Sequence, residues 1–166
     1  MLIPGTLIFA KLHSGKHLAS GVFHSESKST LQLGNNILRI LKASDTIGLE
    51  NILPTTVEYV RLDKFLADSG QNPDAGRMIG MLMTSENFKA AGKWIAEAKR
   101  MKNYKNPSVT GPDSIESHQG VEIWRGMSLW AEDSLGHKVQ IPLFRSLVKS
   151  GDGFIIYTLM DPSAKD

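Results

Sequence analysis

Trp124 and Trp130 stand six residues apart in the run EIWRGMSLW, with Gly126 and Ser128 between them. Side chains alternate along an extended strand, so Trp124, Gly126, Ser128 and Trp130 are expected to share one face. Ile123, Arg125, Met127 and Leu129 would then line the other. Two indoles flanking a shallow floor of glycine and serine suit a sugar, a flat ligand, a nucleobase or the side chains of a partner. The competing expectation is a packed core, with a helix lying over Gly126 and Ser128 and the tryptophans as walls.

Nucleophilic catalysis would need a Ser, a His and an Asp assembled from distant segments. Asp113 and His118 fall in a stretch rich in Pro, Gly and Ser, and His137 borders a turn, so these are the catalytic candidates. A third chemistry is anion binding. Lys89, Lys93, Lys99, Arg100 and Lys102 cluster within one predicted helix and could contact phosphates, acidic headgroups or an acidic protein. The same cations would also form the solvated side of an amphipathic helix.

Several chemistries are excluded. The chain of 166 residues has no cysteine, which removes disulfides, thiolate nucleophiles and cysteine-ligated metal sites. No Walker loop, GxGxxG, GxSxG, HExxH or EF-hand pattern occurs. His13 and His17 flank a predicted two-residue turn at Ser14-Gly15, which sends them to opposite faces of a hairpin rather than to one metal. No metal and no cofactor are therefore expected. A net charge of +2 does not demand a polyanionic partner, and no apolar run reaches the roughly 20 residues of a transmembrane helix. Localisation is unassigned: cytoplasmic by default, with a trimmed secreted or periplasmic form as the alternative.

The positioning elements follow from periodicity. Residues 6–24 read as an N-terminal hairpin, STLQLG as a third strand, NILRILKAS as a short helix or a further strand, and NILPTTVEYVRL as a strand entered after Pro54. QNPDAGR reads as loop. The spacing of Phe88, Ala91, Ile95, Ala98 and Met101 predicts one main amphipathic helix over about 85–103, with Ser85 as its N-cap. Trp94, at the edge of that stripe, is expected to be partly exposed. Residues 104–119 read as a long loop. Turn signals at DSLG and SGDG divide the remainder into a three-stranded antiparallel meander. Phe154 and Ile156 face one way in its last strand and Ile155 and Tyr157 the other, which predicts a strand covered on both sides.

The expectation is a single α+β domain over 1–166, mainly antiparallel sheet, with the helix packed on one face. Its order of hairpin, helix and closing meander resembles the general PsbP-like arrangement, in element order alone. The functional expectation is a non-catalytic protein-binding or accessory module whose partner is another protein. The alternatives are an enzyme with a site beside the meander and an anion or nucleic-acid binder using the basic helix.

Overall fold

The structure is a computed structural model that describes residues 27–66, 73–118 and 121–163. The hairpin expected over 6–24 and the histidines within it lie outside the described residues. The chain forms helices α1 (Thr30–Ala43), α2 (Thr46–Glu50), α3 (Thr56–Leu66) and α4 (Pro73–Glu97), then a 3-10 turn at Ala98–Met101. Seven strands follow: β1 (Lys105–Thr110), β2 (Ser114–His118), β3 (Val121–Arg125), β4 (Ser128–Glu132), β5 (Lys138–Ile141), β6 (Ser146–Ser150) and β7 (Gly153–Ile156). They build two antiparallel sheets, β1-β4-β5 and β2-β3-β6-β7. The class is α+β. Among the described residues four helices precede the two sheets, and the hairpin of the PsbP-like order lies outside them.

Local capping chemistry decides helix over strand in the first half. Ser29 caps α1, its hydroxyl accepting the Gln32 N–H at 3.1 Å. Leu33, Ile37, Ile40 and Leu41 then fall on one buried stripe. STLQLG is thus the first turns of a helix, not a strand, and NILRILKAS continues it. Before α3, Thr55 and Glu58 form a capping box. The Thr55 N–H donates to Glu58 Oε2 at 2.7 Å, and the Glu58 N–H returns to Thr55 Oγ1 at 3.3 Å. That reciprocal pair starts a helix directly after Pro54, where alternation had suggested a strand.

The expected helix over 85–103 is the C-terminal part of a longer element. α4 has 25 residues and begins at Pro73, which suits a first helical position where an N–H has no partner to lose. QNPDAGR therefore runs into the helix rather than remaining loop. Ser85 lies in its interior instead of capping it. Gly80 permits close approach to α3: a Cβ there would stand 3.0 Å from the Thr56 carbonyl oxygen and 3.1 Å from Val60 Cγ2. The buried side of α4 is carried by Asn87, Ala91 and Trp94, and Ala98 of the 3-10 turn continues it. This stripe is rotated from the predicted one, so Trp94 is buried, its Nε1–H donating to the Met160 carbonyl at 2.6 Å. Phe88 is pushed outward.

The stretch 104–119 is not a loop. It holds β1 and all of β2. β1 escaped notice because it is a polar edge strand, with Pro107 inside an irregularity of register between Lys105 and Ser108. The three-stranded meander is five strands, because the run 121–132 is broken at Gly126 and feeds two different sheets. The turns at 133–136 and 150–153 fall where predicted.

One apolar cluster joins α1, α4 and both sheets through residues such as Leu33, Ile37, Trp94, Leu129, Phe144 and Ile156. A smaller one packs Tyr59 and Leu62 of α3 on Val121, Val148 and Ile155. β7 is accordingly covered on both sides, as its pattern predicts. A buried polar bridge ties the helices to the chain leaving β7. Asn87 Nδ2–H donates to Tyr59 Oη at 2.5 Å, Asn87 Oδ1 accepts the Leu159 N–H at 2.9 Å, and the Tyr59 hydroxyl donates to the Tyr157 carbonyl. Burial raises the pKa of the Tyr59 phenol, which therefore stays a proton donor at neutral pH.

Removing Asn87 leaves a buried N–H and a phenol oxygen each short of a partner. Asn87→Ala is expected to destabilise the fold by about 1–3 kcal/mol in urea unfolding. The exposed Lys89→Ala should stay within about 0.5 kcal/mol of wild type.

Candidate functional site

The tryptophans do not flank a common floor. Gly126 takes φ +72°, a conformation natural to glycine, and a Cβ there would overlap the Asp113 carboxylate. The strand ends at this turn, which places Trp124 on β3 in the four-stranded sheet and Trp130 on β4 in the three-stranded one. Trp124 is half-buried and packs edge-to-face on Phe154, with ring centroids 5.1 Å apart. Its Nε1–H donates to Glu122 at 2.7 Å, and Lys149 sits 5.6 Å from the ring centroid. Trp130 lies on the outer face of its sheet, beside Ser108 and Gln140 across the strands. Its Nε1–H donates to Thr110 Oγ1 at 3.1 Å, and Lys138 Nζ stands 5.3 Å from its ring centroid. Ser128 Oγ accepts from Gln140 Nε2 at 3.2 Å.

The catalytic candidates do not converge. Asp113 lies in the turn between β1 and β2, its N–H bonded to the Arg125 carbonyl at 2.8 Å. His118 closes β2 opposite Val121. His137 is exposed in the turn between β4 and β5, with its Nδ1 3.4 Å from Asp133 Oδ2. The start of β4 pairs with Thr110, near Asp113, and its far end pairs with Lys138, next to His137. The four residue steps from Ser128 to Glu132, roughly 13 Å, therefore stand between Asp113 and His137. Among the described residues no group of three or more acidic or imidazole side chains is placed to hold a metal ion.

The basic helix is largely neutralised. Lys89 pairs with Glu86 at 2.8 Å, Arg100 with Glu97 at 3.1 Å, and Lys93 with Asp161. Hydrogen bonds from Lys93 and then Ser163 hold the Asp161 carboxyl down at about 2. Lys99 and Lys102 are exposed.

Two features escaped the sequence reading. One is a cleft of about 300 Å³ between α1, α2 and β7, lined by Asn36, Arg39, Asp45, Ile52 and Phe154 among others. Two of its polar groups already serve the fold: Asn36 donates to Ser27 Oγ at 3.0 Å, and Asp45 caps α2 by accepting the Gly48 N–H at 2.8 Å. The other is the outer face of α4. Met78 is 72 % exposed, Leu82 61 %, Met81 58 % and Phe88 48 %. The signal was present in the run MIGMLM (78–83), because six consecutive non-polar residues on a helix put apolar groups on every side. A groove bounded by Pro54, Thr55, Thr84 and Phe88 adjoins this face.

In comparison with known proteins, the chain matches no family model, no curated protein and no solved structure.

The Lys93–Asp161 pair sets a pH dependence. The folded-state pKa of Asp161 lies below the ordinary 3.8, so its stabilising contribution is complete above that value and is lost as pH falls toward about 2. Carboxyl NMR should follow Asp161 titrating near 2, and Lys93→Ala should move the midpoint up toward 3.8.

Proposed function

We propose that this chain is a non-catalytic protein-binding or accessory module that engages another protein through the outer face of α4. The observation that carries the reading is the exposure of Met78, Met81, Leu82 and Phe88 together on one side of a helix whose other side is already packed. Exposed large apolar side chains are ordinary when scattered and informative when contiguous. Methionine suits such a surface, because its flexible thioether adapts to a partner's contours.

The alternatives have less behind them. An acid–base enzyme built on Asp113 and His137 would need two turns at opposite ends of β4 to act as one site. A nucleic-acid binder would need free cations, whereas three of the five basic residues are paired with carboxylates. The Trp130 face also offers a partner an aromatic platform, but its indole already carries Lys138 and Thr110.

A photo-crosslinking amino acid at position 82 should yield a discrete covalent protein adduct in cells, identifiable by mass spectrometry. The same probe at Ser134, on the exposed turn between β4 and β5, should not. Equal and diffuse labelling from both positions would refute the reading. Met81→Glu should abolish the adduct from position 82 while leaving the thermal melt within a few degrees of wild type, since an exposed side chain contributes little to the core.

A further inference from the structure

Building on that reading, we infer that the partner covering α4 is a second copy of this chain, docked antiparallel across a two-fold axis at Ser85. The argument rests on the order of large and small residues. Met78, Ser85 and Gly92 recur at intervals of seven and form one row on the outer surface. Nothing lies within 4 Å of the position a Cβ would take on Gly92. Reversing the row about Ser85 sets Met78 over the gap at Gly92 of the second copy and brings the two serines together at the closest point.

The flanks match as well. On one side Met81 meets Phe88 of the second copy at nearly the same height, a favourable thioether–aromatic contact. On the other, Leu82 lies beside the aliphatic stem of Lys89 of the second copy, whose ammonium stays on Glu86 of its own chain. A parallel arrangement would instead oppose Met78 to Met78 and Phe88 to Phe88, and would leave Gly92 facing a void. Two of the charges bordering the row are paired, Lys89 with Glu86 and Lys93 with Asp161, so closure buries no lone charge from these pairs; Arg77, at the end of the row, is exposed.

The size is sufficient. Side chains of this kind at these exposures leave an apolar patch on the order of 500 Å², the upper end of what a monomer shows. Two such patches together bury about 1,000 Å², the threshold of a specific interface. The same surface patch serves both copies, so the contact closes on itself and does not propagate.

The absence of cysteine makes the geometry directly testable in the 166-residue chain. Ser85→Cys introduces one thiol per chain, at the axis, within the Cα separation of roughly 4.4–6.8 Å that a disulfide needs. Under mild oxidation it should form a covalent dimer at least about tenfold faster than Ser134→Cys, whose thiol lies on a remote turn. Wild-type protein should sediment as a dimer at tens of micromolar, and Met81→Glu should weaken association by roughly a hundredfold, with a circular dichroism melt matching wild type at concentrations where both chains are monomeric. A wild-type chain that stays monomeric at several hundred micromolar overturns the inference, as does equal crosslinking of the two cysteine variants. If position 82 captures a different protein while the wild type is monomeric, the second copy is excluded and the binding-module reading stands. If the wild type is monomeric and position 82 captures nothing discrete, both fall.

Discussion

The arrangement depends on how α4 is held at one side. Asn87 and Trp94, about two helical turns apart, each bond to the backbone of the segment that leaves β7, and Tyr59 of α3 joins them at Asn87. A buried amide, a buried indole N–H and a buried phenol each have demanding hydrogen-bond geometry, and leaving any of them unpaired is costly. Together they allow α4 one rotation about its own axis. Once Asn87 and Trp94 face inward, Met78, Met81, Leu82 and Phe88 must face outward. The exposed apolar surface is therefore a geometric consequence of the polar bridge on the opposite side.

The same bridge explains why the helices and the second half of the chain cannot be considered apart. α3 covers one face of the β2-β3-β6-β7 sheet through Tyr59 and Leu62, while the other face meets the cluster that contains α1 and Trp94. Gly80 lets α3 and α4 approach closely enough for both contacts to be made at once. Thr84 reinforces that approach, its hydroxyl bonding to the Gly80 carbonyl at 2.8 Å and lying 3.0 Å from the Thr56 hydroxyl.

What was legible in the sequence was what local chemistry alone decides. The α+β class, the turns at 133–136 and 150–153, and the two-sided burial of β7 follow from turn residues and alternation. The errors arose where two periods competed. Leu31 and Leu33 alternate as a strand would, yet Leu33, Ile37 and Leu41 repeat as a helix does, and the Ser29 cap settles the matter. NILPTTVEYVRL reads as a strand entered after Pro54, whereas the helix begins at the Thr55–Glu58 box. β1 was hidden because polar edge strands carry no apolar signature. The tryptophans part because Gly126 is not a floor residue on one continuous strand: its backbone conformation ends the strand. The α4 surface was overlooked for another reason: an all-round apolar helix has no preferred face, so periodicity could not say which side lay open.

The wiring of the two sheets has a kinetic consequence. The chain enters the three-stranded sheet at β1, passes to the other for β2 and β3, returns for β4 and β5, and crosses again for β6 and β7. Neither sheet is complete until the chain has visited the other, so neither can be finished first and serve as a template. The pairing of β3 with β6 must wait for two strands that belong elsewhere, and loop closure is paid in entropy before that contact forms. Such interleaving ties both layers into a single cooperative transition and favours slow, concerted assembly over stepwise accretion.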